Sequence, residues 1–343
     1  MSFLRNAWYM AAWDREIDKN PVPKRILGEP IVMYRTGSGV AVALHDRCPH
    51  KAVPLHAGRI EGDLIQCAYH GLRFDSRGVC RHNPHIKGSP DTLCVRAYPL
   101  AKRHGALWIW MGEPERANVN AIPDYGWFDV DGPYAVTQGY TYVDGGFGIM
   151  MDNLLDLSHA EYLHPNTVGT PGSSGSLQTS VVAGDDYVTV KRKVFDLPPS
   201  VVFRPHWSRS ERIDQVSDMT WRPGTNLLLD IRLRAAGDDS GNGELHFPSA
   251  HILTPETERT THYFWAVARN FKQEDEGLTL AINEAFQQTF TGEDKPIIEA
   301  IQRQFDIEGN DVPVANFTIG DGGGVRAKRM LAKLIADEQL VRS

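Results

Sequence analysis

Residues 48 to 71 read CPHKAVPLHAGRIEGDLIQCAYHG, and no other stretch limits what the chain can be so strongly. Cys48 and His50 form C-x-H; after sixteen intervening residues, Cys67 and His70 form C-x-x-H. Two soft thiolates and two imidazoles drawn to one place indicate a metal site. Two readings fit the spacing. A structural zinc ion takes Cys₂His₂ in tetrahedral closure. A Rieske [2Fe-2S] centre puts two cysteines on one iron and two histidines on the other. Each cysteine here has its own histidine, in a Pro- or Gly-bearing loop between β-prone segments, which favours two irons with different ligand sets. Cys80 and His82 repeat the C-x-H spelling, but Cys80 reads as a small apolar side chain after the turn DSRG.

At 343 residues the chain has room for two domains. Residues 1–115 are rich in short β-prone runs: PIVMYRTGSGVAVALHDRC reads as strand, turn, strand, GLRFDSRGVCRHNPH repeats the plan, and HGALWIWMG adds an aromatic strand. The segment EPERANVNAIPDYGWF, with Pro114 and Pro123, reads as a linker. Residues 116–343 form a second domain of α+β type, with strands such as DYVTVKRKVF, TNLLLDIRLRA and THYFWAVARNF. They are followed by a helical stretch from about Glu274 to Phe305 and a short helix from Gly324 to about Leu340. GTPGSSGS (169–176) is expected to be a mobile loop, and GDGGGVRAK (320–328), which follows no strand, a flexible helix lead-in.

A net charge of −7 argues against nucleic acid as the main partner. No run of about 18 apolar residues is present, so no membrane span is expected. The N-terminal residues lack an apolar signal core, the basis for expecting a cytoplasmic protein with Cys80 and Cys94 reduced.

The helical candidate FGIMMDNLLDLSHAEYLH carries Asn153, Asp156, His159 and His164. Asp156 and His159 are three apart and share a helix face. His159 and His164 are about 140° apart on a regular helix. Pro165 pushes the residue before it out of the α region, so the helix should end near His164 and free its side chain. Ordinary helix histidines remain an equal reading of this segment alone. Further on, Phe286, Phe290, Asp294, Ile297, Ile298 and Ile301 share one helical stripe. Asp294 sits mid-stripe, where an unpaired carboxylate is costly and a metal would be its partner, while neighbouring Glu293 points further away from that stripe. His159, His164 and Asp294 would complete a 2-His-1-carboxylate triad with open positions for dioxygen.

With both sets of residues in view, the sequence resembles the Rieske non-haem iron oxygenases. FLRNAWYMAAWDREI, WIWMGEP, MDNLLDLSHAEYLHP, HILTPE, YFWAVARNF and GGGVRAKRML are similar to the vanillate, dicamba and toluenesulfonate branch over nearly the whole chain. The resemblance implies an N-terminal all-β Rieske domain holding its cluster through Cys48, His50, Cys67 and His70. It implies a helix-grip catalytic domain binding mononuclear Fe(II) through His159, His164 and Asp294. Asn153 and Asp156 carry over as functional residues. The Asp156 carboxylate would bridge His159 to His70 of a neighbouring subunit in a head-to-tail trimer. His251 matches a substrate-contacting position. Arg204, His206, Arg232 and Arg234 are further anchor candidates, though solvent-facing positions suit each better. Leu229 or Asp230, and Ala285, stand where the dicamba-type enzymes use Asn and Trp.

The activity implied is the oxygenase component of a multicomponent monooxygenase acting on a methoxy or methyl carbon of an aromatic acid. Dioxygen is the co-substrate, and electrons reach the cluster from NAD(P)H through a ferredoxin or flavin reductase. Competing expectations are ring cis-dihydroxylation, an electron carrier with a ligand-binding domain, and a zinc-stabilised binding protein.

Overall fold

The computed structural model describes residues 3–86, 93–129, 132–170, 172–309 and 320–342. Two compact units emerge, residues 1–122 with 255–257, and residues 123–254 with 258–343.

Among the described residues of the first unit, turn chemistry cuts the β-prone runs into ten short strands. These are β1 (Trp8–Trp13), β2 (Val22–Ile26), β3 (Glu29–Arg35), β4 (Ala41–His45), β5 (Arg59–Glu61), β6 (Leu64–Gln66), β7 (Arg73–Phe74), β8 (Cys80–His82), β9 (Leu100–Arg103) and β10 (Ala106–Trp110). They pair as three sheets, β1-β10-β9, β2-β3-β4 and β5-β6-β7-β8. His104 and Gly105, at φ 53° and 69°, make the two-residue turn between β9 and β10, whose twist matches that of the strands. Between β7 and β8 the Asp75 carboxylate accepts the Arg77 and Val79 amides, and Gly78 takes φ 77°. Val32, Tyr34, Leu44, Ile65, Leu72 and Phe74 pack with Cys48, Cys67 and Cys80 into one core.

The second unit contains β11 (Ala135–Val143), α1 (Phe147–Leu155), α2 (Ala160–Leu163), β12 (Leu177–Ala183), β13 (Val188–Leu197), β14 (Ile213–Arg222), β15 (Asn226–Ala235), β16 (Leu245–His246), β17 (Ser249–Pro255) and β18 (Thr261–Arg269), then α3 (Glu276–Gln288), α4 (Lys295–Glu308) and α5 (Asp321–Arg342). The strands form one sheet in the order β11-β18-β17-β15-β14-β13-β12, with β16 beside β15. Every residue of β17 and β18 is buried, which explains their near-continuous apolar sequence. Helix α3 packs on β11, and α1 packs on α4 and α5.

Three helical expectations change. The single helix foreseen through His164 breaks at Asp156 (φ −113°, ψ 86°), passes through a 3₁₀ turn over Leu157–His159, and resumes as the short α2. Helices α3 and α4 join through one π-helical turn, Thr289–Asp294. Wider turns there make the buried row advance by fours, through Phe286, Phe290, Asp294, Ile298 and Gln302. Ile297 and Ile301 are consequently exposed rather than on the stripe. The glycine run is helical from Asp321, not a flexible lead-in. Its glycines are needed for close packing: a Cβ at Gly320 would lie 2.3 Å from Asp156 Oδ1, and one at Gly323 2.3 Å from Val190 Cγ2.

Gly139 pairs with Trp265 across β11 and β18, and a Cβ there would lie 2.1 Å from the indole ring. The Gly139→Ala variant should lose about 1–3 kcal/mol of stability, measured as a lower midpoint in denaturant unfolding.

Candidate functional site

The two Cys-His loops of the first unit share one backbone form. The Cys48 amide donates to the Val53 carbonyl (2.8 Å) and the Ala52 amide to the Cys48 carbonyl (2.9 Å). In the second loop the Cys67 amide donates to Leu72 (2.8 Å) and the Gly71 amide to Cys67 (3.2 Å). Ala52 and Gly71, at equivalent positions, both take positive φ, 60° and 72°. The result places both cysteines in the core while His50 is exposed and His70 half-buried, their rings 4.6 Å apart. Burial, together with the adjacent Cys67, pushes the Cys48 thiol up to about 11 against the pull of the His50 and Lys51 amides. A thiol this reluctant to ionise needs a cation to become a thiolate.

Among the described residues, only His159, His164 and Asp294 bring three ligand atoms within 4.8 Å of one another. The cysteine and histidine pairs therefore do not close on one point, as a tetrahedral zinc site requires. A cysteine pair in the core and a histidine pair at the surface suit a two-iron cluster. Cys80 lies fully buried in the same core, its Sγ 3.4 Å from the His82 carbonyl, and His82 is exposed.

In the second unit the helix break brings the other ligand set together. His164 Nε2 lies 3.2 Å and His159 Nε2 3.7 Å from Asp294 Oδ1, and the two rings are 5.2 Å apart at 76°. Asn153 on α1 donates through Nδ2 to Asp294 Oδ1 (3.2 Å). Both histidines use Nδ1–H elsewhere, which leaves Nε2 for a metal. His159 donates to the Asp156 main-chain carbonyl (2.6 Å) and His164 to Glu293 Oε2 (2.6 Å), which also accepts from Thr167 Oγ1 (2.9 Å). Burial holds the His159 imidazole below its usual pKa. Burial acts likewise on His164, but Asp294 and Glu293 outweigh it and raise that ring. Two carboxylates around a buried imidazole leave an excess of negative charge that a divalent cation fits.

Asp156 accepts the Ser158 amide through its carboxylate (3.0 Å), capping the 3₁₀ turn, and the His159 ring through its main-chain carbonyl. One placement differs from that expected. Glu293 does not point away from the site. It was missed because a regular helix places consecutive residues about 100° apart, and no sequence signal announced the π-helical turn.

A cavity of about 970 Å³, its mouth included, opens beside the triad. Met219, Leu229, Ile231, Phe247, Phe286 and Phe290 make much of its lining apolar. Leu229 faces it, while Asp230 pairs with His246 and Arg232. Arg234 pairs with Glu244, and neither Arg204 nor His206 lines the cavity. Segment 172–174, expected to be mobile, is held by Glu161, whose carboxylate accepts the Gly172 and Ser174 amides (2.8 and 2.9 Å). His251 does line the cavity, with Nε2 2.9 Å from Ser249 Oγ and Nδ1 2.6 Å from the Tyr263 hydroxyl.

A cluster unit joined to an oxygen-reactive iron unit makes the oxygenase component of a Rieske non-haem iron system. Residues 7–99 match the Rieske [2Fe-2S] domain, and residues 143–337 match the vanillate O-demethylase oxygenase C-terminal domain. The chain is 36% identical to the dicamba O-demethylase oxygenase component of Stenotrophomonas maltophilia, over 97% of this chain and 98% of that one. It is 36% identical to the toluene-4-sulfonate monooxygenase iron-sulfur subunit of Comamonas testosteroni, over 88% of each. The crystal structure of dicamba monooxygenase bound to dicamba superposes with a TM-score of 0.91 at 36% identity, covering 99% of this chain and 100% of that one. The chain belongs to this family of Rieske oxygenase components, whose cofactors are a [2Fe-2S] cluster and a mononuclear non-haem iron.

Two predictions follow from this geometry. Glu293→Ala should weaken Fe(II) binding by about 10- to 100-fold, measured by metal titration, with the visible spectrum of the cluster unchanged. Burial lowers the His251 pKa from 6.5 to about 4, so the ring is neutral in the folded protein. The stability it contributes is full above pH 6.5 and is lost as pH falls toward 4, because only the unfolded chain takes up the proton there. His251→Gln should flatten that part of the stability–pH curve in chemical denaturation.

Proposed function

We propose that the protein catalyses O-demethylation of a small aromatic acid. The observation that carries this reading is the triad's position at the wall of a cavity whose other walls are largely apolar and aromatic, as a substituted benzene ring requires. His159, His164 and Asp294 would hold the mononuclear iron; Cys48, His50, Cys67 and His70 would hold the cluster. When bound, the iron supplies dioxygen activation and the cluster supplies electrons.

The chain's own groups prepare the site. The Asp156 carbonyl and Glu293 keep protons on the Nδ1 atoms of His159 and His164, and Asn153 steadies Asp294. The aromatic wall of Phe286 and Phe290 keeps bulk water from the reacting carbon, and neutral His251, held by Ser249 and Tyr263, presents its ring to the substrate's substituents. Net hydroxylation takes one oxygen atom from dioxygen and returns the other as water, using two electrons and two protons. A hydroxylated methoxy carbon is a hemiacetal and separates into a phenol and formaldehyde. A hydroxylated aryl methyl group would stop at the benzyl alcohol, a reading supported by likeness to toluene-4-sulfonate monooxygenase.

Electrons would arrive from NAD(P)H through a separate ferredoxin or flavin reductase. The working assembly would be a homotrimer in the cytoplasm, in which residue 156 links His159 to His70 of the next copy. No described helix is long and apolar enough to cross a membrane.

A single turnover tests the reaction. Chemically reduced, iron-loaded protein is mixed with oxygen and a panel of methoxybenzoates, methylbenzoates and aryl sulfonates. Formaldehyde with a matching phenol is the expected result; benzyl alcohol without formaldehyde would move the enzyme to methyl hydroxylation. Asp294→Ala should keep the cluster spectrum, lose the mononuclear iron and release no product.

A further inference from the structure

The cavity wall carries a positive charge that no described carboxylate pairs. Arg192, on β13, lines the cavity. Its Nη1 donates to the Leu157 carbonyl (2.7 Å) and its Nη2 to Ser173 Oγ (3.2 Å). Its Nε–H is buried and has no partner. Among the described residues it forms no salt bridge; Asp156 and Glu161 act on it only at a distance, and burial weighs against its charge. A buried guanidinium without a counter-ion is costly, and an anion of fitting shape would relieve it.

The surroundings sharpen the point. Ser217 stands opposite Arg192 across the β13–β14 pair, and Gln215 lies two residues along on the same strand. Gln215 Nε2 donates to Ser217 Oγ (3.0 Å), while its Oε1 is buried without a partner. Of this polar pair only the Ser217 hydroxyl is placed to donate to an anion, beside apolar Val194, Met219 and Ile231. Among the described residues no other lysine or arginine lines the cavity. His251 is neutral, with both ring nitrogens engaged.

We infer that Arg192 is the charge anchor of the substrate: it binds the carboxylate or sulfonate of an aromatic acid through the Nη–H bonds that Leu157 and Ser173 leave free, near Gln215 and Ser217, and so selects anions over neutral isosteres. The inference rests on the aromatic-acid reading above. His251 is then a contact for other ring substituents, not the source of charge. The Nη bonds to Leu157 and Ser173 support the chain, and a purely structural arginine would need nothing more.

The test is a ratio. Calorimetry would measure binding of methoxybenzoates and 4-toluenesulfonate, and of the matching amides, to iron-loaded wild type, Arg192→Lys and Arg192→Gln. A charge-assisted contact makes the wild type prefer the acid by about 10- to 100-fold. Arg192→Lys, which keeps the charge, should retain most of that preference. Arg192→Gln should bring the ratio near one. Both affinities falling together in Arg192→Gln with the ratio unchanged would assign Arg192 a supporting role only and overturn the inference. So would a loss of the ratio in Arg192→Lys equal to that in Arg192→Gln, or wild-type preference for the amides. Formaldehyde followed in the same samples separates the two ideas: acid bound without demethylation would refute the proposed reaction and leave the ratio readable.

Discussion

One buried imidazole is held from both sides, and the second unit is arranged around that grip. Glu293 takes the proton-bearing Nδ1 of His164, and Asp294 faces its Nε2. The carboxylates are consecutive residues of the π-helical turn between α3 and α4. The same turn sets the phase of the buried row, so Phe286 and Phe290 form an aromatic wall next to the acid rather than one face further round. Asn153 reaches the same Asp294 from α1, and Gln302, further along the row, accepts the Gly146 amide at the start of α1. Three segments are therefore registered to one another by polar contacts that also place the ligands.

The first unit reaches a similar end by other means. Its ligands lie on two loops of matching hydrogen-bond pattern, each turned by a residue at positive φ. One loop uses glycine and the other alanine, whose methyl group makes that conformation costlier. Anchoring the sulfurs in the core and leaving the imidazoles outside makes a rigid end and a reachable end of one site.

Much of this was legible in the chain. The Cys-x-His and Cys-x-x-His spacing, the turns at Thr36–Gly39 and Asp75–Gly78, and the end of the helix before Pro165 all follow from local chemistry, and the strands and loops lie where that chemistry puts them. Asp294 stood out because a lone carboxylate on an apolar stripe demands a partner. What escaped was non-local or irregular. The break at Asp156 depends on a side chain capping its own backbone two residues on. The π-helical turn leaves no mark in periodicity until tertiary contacts select it, so Glu293, Ile297 and Ile301 were assigned to the wrong sides. The glycines from Gly320 to Gly324 resembled a tether because nothing in their own stretch names the α1 and β13 atoms they press against.

The His159 ring rests on a peptide carbonyl, not on a side chain. Every amino acid at position 156 brings a carbonyl, but where that carbonyl points depends on the turn that the Asp156 carboxylate caps. A substitution that loses the cap would shift the carbonyl with the turn, and the proton-bearing side of the ring with it. Residue 156 thus couples whatever its side chain touches to the orientation of the His159 imidazole, within the span of one turn.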